Sequence, residues 1–365
     1  MSPLDPRALL RGVARSALRR LGMARPAGAE VPLLRRLDGP RTTPPTVYFL
    51  TPDYDEPSGG IRTLYRHVDL LEQAGISAAV LHSRPGFACT WFEHRTRIRH
   101  VPTTPVGARD ILVVPEVYGA SIRRLPRGVR QVIFNQGAYL TFARAGLTDT
   151  APSPYQDNPD LSAVLVVSED SAAYLRYAFP SLRVERVHPA VDPSLFHARG
   201  RGSRRRIALM SRRNREDAVQ VLQMLRARGS LSGWDVDILQ GLAPARVAEA
   251  LRGSALFLTF SHQEGFGLPP VEAMACGCLV VGFHGQGGRE FLRPEWSMPV
   301  EQGNIVAFSQ RVEEAMGLHR EEPARFEAMS RRASEFVHRE YAPEREREDV
   351  VGFYRALLRD GERGS

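Results

Sequence analysis

Lysine is absent from the 365-residue sequence, so all 49 of its strongly basic side chains are arginine. Any phosphate gripped by a side-chain cation is therefore gripped by a planar fork and not by a point charge. Cysteine is nearly as scarce. Cys89, Cys276 and Cys278 are too few for a disulfide framework, and Cys276-Gly277-Cys278 has neither the spacing nor the second pair of a structural zinc site, so all three are expected as buried or half-buried thiols. No apolar run approaches the ~20 residues needed to span a bilayer. The N-terminus lacks the continuous apolar centre and small-residue cleavage site of a secretory signal. The expected compartment is the cytoplasm.

What is present is ordinary globular material, 43% hydrophobic and 25% charged, long enough for two cores of roughly 150 residues each. The net charge of +8 is uneven. Residues 1–41 hold nine arginines against Asp5, Glu30 and Asp38, a balance of +6, which leaves the body at +2 with no sign of a nucleic-acid partner. Within this leader Arg7, Arg11, Arg15 and Arg19 recur every four residues, with Leu10, Val13, Ala14, Ala17, Leu18 and Leu21 on the other side. The pattern is a basic amphipathic helix. One reading attaches residues 7–21 to an anionic membrane surface, peripheral on its inner face; the other makes them a frayed or core-docked extension.

From Thr46 onward short β-rich runs alternate with helical patterns, the mark of parallel sheets with crossover helices. Expected strands are Thr46 to Leu50, Ser77 to His82, Ile111 to Val114, Gln131 to Phe134, Ala163 to Val167 and Val184 to Val187. A linker rich in arginine, glycine and serine, 199–206, precedes a second set: Ile207 to Met210, Val236 to Leu239, Leu256 to Phe260 and Leu279 to Phe283. The expected fold class is α/β, with two doubly wound Rossmann-like domains facing across a cleft. Residues 42–198 form the first, completed by a charged C-terminal helix over 342–360, and residues 199–341 form the second.

The most informative segment runs from Ser261 to Gly277, Ser-His-Gln-Glu264-Gly265-Phe266-Gly267-Leu268-Pro269-Pro270-Val-Glu272-Ala-Met-Ala-Cys-Gly277. It follows a strand and opens a helix, for which Pro269 and Pro270 suit the first turn and Gly277 supplies the stop. Open α/β sheets bind ligands at the carboxyl ends of their strands. Glycines 265 and 267 let the backbone approach a ligand, and free amides at the helix start favour phosphate oxygens. Two carboxylates eight positions apart flank this turn. They suit sugar hydroxyls better than phosphate, so a ligand with two polyol ends and a phosphate middle fits all three features: a nucleotide sugar. Taken alone, Glu272 is as well explained by the helix dipole.

This segment closely resembles the hallmark of the family 4 retaining glycosyltransferases of GT-B fold, a glutamate, seven residues and a second glutamate. Val167-Ser-Glu-Asp170, His188-Pro-Ala-Val-Asp-Pro-Ser-Leu-Phe196 and the closing helix are similar to further landmarks, so the resemblance covers most of residues 46–358. It implies that Glu264 contacts the donor sugar at the reacting centre, that Glu272 holds the ribose hydroxyls, and that Gly265, Phe266, Gly267 and Leu268 belong to the donor site. It also implies that the last helix crosses back onto the first domain. Pro57-Ser-Gly59-Gly60-Ile-Arg62 resembles the family loop that approaches the donor diphosphate, although a lone Gly-Gly pair also makes a plain turn and the dinucleotide fingerprint is absent. Arg212 occupies the position at which relatives carry a diphosphate-binding arginine, and either Arg213 or Arg215 stands in for the usual following lysine. The alternative there is a solvated basic turn.

Where many relatives carry a histidine near the reacting sugar, this sequence has Asn135-Gln136-Gly137-Ala-Tyr139. Asn135, Gln136 and Tyr139, with Arg62, are candidates for the acceptor side, against a turn merely held by Asn135. A bound metal is not implied and no cofactor is expected beyond the nucleotide-diphosphate sugar as co-substrate, which leaves arginine to stabilise the leaving group. The expected reaction is retaining, metal-independent transfer of a hexose or deoxyhexose to a glycan or lipid-linked acceptor, in cell-surface polysaccharide or glycoconjugate synthesis. The alternatives are a nucleotide-sugar epimerase or phosphorylase, and a non-enzymatic nucleotide-sugar or glycan-binding protein of the same fold.

Overall fold

Seven parallel strands make the first sheet: β1 (Val47–Leu50), β2 (Ala78–His82), β3 (Ile98–His100), β4 (Ile111–Pro115), β5 (Arg130–Asn135), β6 (Leu161–Val166) and β7 (Val184–Arg186). In the computed structural model, which describes residues 30–37, 39, 44–143, 145–148, 153–199, 205–210 and 214–363, they run in the order β3-β2-β1-β4-β5-β6-β7. β1, β2 and β4 are buried at every position, as strands covered on both faces must be. The order reverses between β1 and β4, which makes the carboxyl ends of those two strands the switch point where open α/β sheets take ligands. β3 was not foreseen, because Ile-Arg-His has a single apolar residue and sits half-exposed at the edge.

The helices of this unit follow their apolar spacing. α1 (Gly59–Gln73) is capped by the Ser58 hydroxyl, which accepts from the Ile61 amide, and buries Ile61, Leu64, Tyr65, Val68 and Leu71, one face of a 3.6-residue period. α2 (Glu169–Ala178) is capped in the same way by Ser168. The unit comprises the described residues of Ala29–Asp192, Gln263–Leu268 and His338–Ser365. Residues 30–37, which the sequence assigns to the leader, run extended along it: Val31 and Leu34 are buried in its core, the Val31 amide donates to Ser121 Oγ at 3.0 Å, and Arg36 forms a β-bridge with Val106. The amphipathic pattern of residues 7–21 lies outside the described residues, as do Arg212, Arg213 and most of the linker.

The second unit, Pro193–His262 with Pro269–Val337, carries β8 (Arg206–Leu209), α3 (Arg215–Ala227), β9 (Asp235–Ile238), α4 (Pro244–Arg252), β10 (Leu256–Glu264), α5 (Leu268–Ala275), β11 (Leu279–Gln286), β12 (Met298–Val300), α6 (Ile305–Glu321) and α7 (Pro323–Glu340). Its sheet runs β12-β11-β10-β8-β9 and reverses between β8 and β10. Proline in β12 is tolerated because that strand is an edge, and the same proline hides it from sequence patterning. The core is aromatic, with Phe260 stacked on Phe308 at 4.6 Å and Phe283 edge-on to Phe308 at 5.0 Å. β10 and β11 run past their expected ends at Phe260 and Phe283, so Glu264 closes a strand and does not sit in a loop. Gly285 permits the extension, since a β-carbon there would stand 2.6 Å from Ser261 Cβ.

The closing helix, α8 (Pro343–Arg363), belongs to the first unit, as expected. Tyr354 packs edge-on to Phe49 of β1 at 5.7 Å, Arg130 donates to the Leu357 carbonyl at 2.7 Å, and Glu346 is ion-paired with Arg66 of α1. Asp349 accepts from both the amide and the ring Nδ1 of His188, at 2.9 and 2.6 Å. Among the described residues no helix is long and apolar enough to cross a membrane.

Candidate functional site

At the switch point of the first sheet, β1 leads through Thr51–Ser58 into the Gly59-Gly60 start of α1. The amides of a helix's first turn have no partner within the helix, so this end presents donors to an anion. The space beside them is tightly set. A β-carbon on Gly59 would lie 3.2 Å from Leu268 Cδ1, and one on Gly60 would lie 3.3 Å from Gln136 Nε2. Gln136 Nε2 donates to the Gly60 carbonyl at 3.2 Å.

The Glu264 turn is built into the same place. Gln263, which precedes Glu264, takes a left-handed backbone conformation with φ 47°, and Gly267 follows at φ 97°. Gly265 has a different reason to be glycine: a β-carbon there would stand 2.0 Å from the Gln136 carbonyl oxygen and 2.8 Å from its carbon. Only a hydrogen fits. Phe266 packs edge-on to Tyr341 at 4.9 Å. Gly59, Gly60, Gln136, Gly265 and Leu268, five candidates from three distant stretches of sequence, thus meet within the first unit. Glu264 is half-buried at the end of β10.

Glu272 lies one turn into α5 of the second unit and is 8% exposed. The helix stops as the sequence implies, with Gly277 at φ 83° and the Cys278 amide returning to the Ala273 carbonyl at 2.9 Å, the glycine-terminated cap expected of such a helix. Cys276 and Cys278 are free and buried, and burial pushes the Cys276 thiol well above its ordinary range. Arg215 begins α3 as an exposed side chain.

Other acceptor-side candidates have structural posts. Asn135 is fully buried; its amide nitrogen donates to Thr141 Oγ1 at 3.0 Å and Tyr155 Oη at 2.8 Å, and its oxygen accepts from the Gly137 amide at 3.1 Å. It therefore shapes the 136–141 turn from below. Tyr139 donates its hydroxyl to Asp170 at 2.9 Å. Arg62, half-buried on α1, sends its positive field toward Glu346. Sequence reasoning missed Glu116, a buried carboxylate at the end of β4 whose Oε2 accepts from the Gln136 amide at 3.1 Å. A single glutamate after a strand carries no motif that could have flagged it.

The reading without a metal also passed over Asp53-Tyr54-Asp55, an Asp-x-Asp pair that follows β1 after Thr51 and Pro52. Both carboxylates are engaged in structure. Asp53 accepts from His82 Nδ1 and the Ser83 amide at 3.0 Å and from the Arg84 amide at 2.9 Å, while Asp55 accepts from the amide and hydroxyl of Thr90 at 2.6 Å. Those bonds to Thr90 hold the Asp55 carboxyl below its usual range. Beneath them Tyr65 Oη meets His82 Nε2 at 2.7 Å; burial depresses His82 to about 4, against the pull of Asp53. Among the described residues no group of three or more His, Cys, Asp or Glu side chains is arranged to hold a metal ion.

Residues 230–333 match the family model of glycosyl transferases group 1. The group 1 stretch takes in β10, the Glu264 turn, α5 and Glu272. A curated relative, an alpha-1,6-glucosyltransferase of Actinobacillus pleuropneumoniae serotype 7 (strain AP76), is 33% identical over 81 residues, 21% of this chain; the chain spans about a quarter, 24%, of that relative's length. Among solved structures, sucrose-phosphate synthase from Thermosynechococcus elongatus aligns with a TM-score of 0.65 at 15% identity, over 87% of this chain and all of the other. A glycosyltransferase from Rickettsia africae ESF-5 gives 0.61 at 13%, over 86% and 99%. The Anabaena protein HepE, crystallised with UDP-glucose, gives 0.60 at 13%, over 86% and 100%. At such identities the likeness is one of fold, the two-domain GT-B fold of glycosyltransferases, joined here to a group 1 glycosyl transferase domain.

Proposed function

We propose that the chain is a retaining glycosyltransferase that needs no metal and moves a hexose or deoxyhexose from a nucleotide diphosphate to a glycan or lipid-linked acceptor in cell-surface polysaccharide synthesis. The observation that carries this reading is the meeting of the Gly59-Gly60 helix start, the Gln136 turn and the Gly265 turn, with Glu264 adjoining, at the carboxyl ends of parallel strands. The group 1 match over the Glu264 and Glu272 segment supports it, as do a solved neighbour holding UDP-glucose and a partial relative named as a glucosyltransferase.

In this reading Glu272 accepts from the ribose hydroxyls and Glu264 from the hexose. The amides of Gly59 and Gly60, with Arg212 and Arg213 or Arg215, take the diphosphate, and Phe266, Gly267 and Leu268 complete the donor turn. The bond from the anomeric carbon to the phosphate oxygen breaks, the acceptor oxygen bonds to that carbon on the same face, and its proton passes to the departing phosphate. No side-chain base is then required, which accords with amides at Asn135 and Gln136. The basic segment 7–21 holds the enzyme on an anionic membrane surface beside a lipid-linked acceptor.

The test is release of nucleoside diphosphate from a panel of UDP, GDP and dTDP sugars with and without acceptors. Release that depends on acceptor separates transfer from epimerisation and from simple binding. Glu264→Ala is expected to lower turnover about a hundredfold with an unchanged melting curve; near-normal transfer by that variant removes Glu264 from the mechanism.

A further inference from the structure

One carboxylate stands behind the meeting of the three turns. Glu116 follows β4, the strand next to β1 at the switch point, and is only 6% exposed. Its Oε2 accepts from the Gln136 amide at 3.1 Å, and its Oε1 lies 3.7 Å from the point a β-carbon on Gly137 would occupy. The Gln136 peptide so held touches both glycine turns: its side chain donates to the Gly60 carbonyl at 3.2 Å, and its own carbonyl is what excludes a side chain at Gly265. A buried amide that loses its acceptor is costly, and a bond to an ionised acceptor is among the stronger ones. The carboxylate thus sets the peptide against which the Glu264 turn is seated.

We propose that Glu116 is a positioning residue of the transfer site, fixing the Gln136 peptide so that the Gly59-Gly60 turn and the Glu264 turn keep the registration transfer needs. The role in catalysis rests on the glycosyl-transfer reading; the mechanical coupling does not. It predicts that the hydrogen-bond acceptor at residue 116 matters more than its charge. Glutamine, whose amide oxygen accepts from the same N–H, substitutes for it; alanine cannot.

The experiment compares the full chain with Glu116→Gln and Glu116→Ala in two ways. Hydrogen exchange without substrate reads the coupling: Glu116→Ala is expected to accelerate exchange about tenfold or more in both 134–140 and 263–268, and Glu116→Gln to stay near the parent. Turnover of UDP-glucose, or of whichever nucleotide sugar the parent uses, reads the consequence. Glu116→Ala is expected to lower kcat about tenfold or more with donor KM within about threefold, and Glu116→Gln to recover most of the loss. Should the alanine variant not fold, Glu116→Asp withdraws the acceptor by one methylene and is expected to show the same exchange. Unchanged exchange in 263–268 overturns the coupling. Glutamine as inactive as alanine with parental exchange overturns the positioning role in favour of a chemical one. If the parent turns over no nucleotide sugar, glycosyl transfer fails as a reading while exchange still decides the coupling.

Discussion

The two units bury different things. The first encloses His67, His82, Asp110, Glu116 and Glu346, whereas in the second, among the described residues, Glu272 is the single buried carboxylate or imidazole. Several polar groups of the first are wired to backbone and to one another: Asp110 accepts from the Thr46 amide at 2.8 Å and the Gly107 amide at 2.7 Å, and Asp53, His82 and Tyr65 form a chain, whereas buried His67 Nδ1 has no hydrogen-bond partner among the described residues. Buried polar groups placed in such networks fix loop geometry and are penalised when partly satisfied. The second unit is held by aromatic and aliphatic packing, so its one buried glutamate stands out. The difference teaches that a buried carboxylate is easiest to single out as a ligand-site candidate where few other charges share its core. In the first unit, function has to be sought in how the turns are held.

The largest expected effect separates two glycines. Gly265→Ala drives a methyl group into the Gln136 carbonyl, and the buried turn must move; activity is expected to fall more than about a hundredfold, well beyond what the accompanying loss of stability accounts for. Gly282→Ala does the reverse. Its β-carbon would meet the Thr259 carbonyl at 2.3 Å and the Phe308 ring at 2.4 Å, at φ 128°, and the expected cost is roughly 3 kcal/mol of stability from overpacking and backbone strain. Thermal melting beside turnover checks both. A Gly265→Ala variant with full activity breaks the assignment of the first unit's turns to the site.

Acid should distinguish the units next. Burial depresses His67 to about 3, with the neighbouring Arg66 charge adding to it, and His82 to about 4. The unfolded chain therefore binds protons below about pH 6.5 that the folded chain refuses, and each histidine costs about 1.4 kcal/mol per pH unit over that window. Glu346 acts oppositely, because burial raises its pKa and the folded state gains as it takes up a proton. Urea midpoints at pH 7.5 and 5.5 are expected to show the first unit losing stability on acidification. His67→Phe keeps the stack on Phe134, which stands at 5.0 Å in the parent, and should flatten that dependence. An unaltered slope contradicts the buried-histidine account.

This contrast also explains what the sequence made legible. Both sheets and the Glu264-to-Gly277 turn are local patterns, carried by continuous apolar strands, periodic helices and a glycine-proline turn, and they are readable from one stretch at a time, whereas the α8 crossing was implied only by the family resemblance. β3 and β12 were not, because three-residue edges held by one neighbour need no alternation. Glu116 was invisible, and Asn135 stayed open between two readings, for one reason: at the end of a strand, a polar residue aimed at ligand and one buried beneath it look identical in sequence. Which it is depends on Thr141, Tyr155 and Gln136 arriving from elsewhere in the chain.

Replacing Glu272 sharpens the comparison with a smaller effect. On the proposed reading Glu272 serves the donor, so Glu272→Gln is expected to weaken donor binding about tenfold and to leave the melting temperature little changed. Glu116→Ala, in the wired unit, should lower it. Fluorescence melting with and without UDP-glucose measures both quantities. A marked drop for Glu272→Gln would make that glutamate structural.

The smallest effect lies on the second unit's surface. Glu313 of α6 accepts from Arg228 Nε at 2.7 Å and also from the Ser230 hydroxyl; the Arg228 bond, then the Ser230 bond, holds its carboxyl below the ordinary value of 4.5. A depressed carboxylate contributes stability above the unfolded pKa and loses it as pH falls through the folded one, so this contribution is intact at pH 5.5, where the first unit's histidines already weigh against folding. Exposed ion pairs contribute little. Glu313→Gln is expected to lower the melting temperature by no more than about 2 °C at pH 7, with the difference shrinking as pH falls below 4.5. The two units would then part by pH window: the first begins to weaken below about 6.5 through groups it buries without charge, the second only below 4.5 through groups it leaves at the surface. A Glu313→Gln deficit that grew on acidification would reverse the sign and break that division.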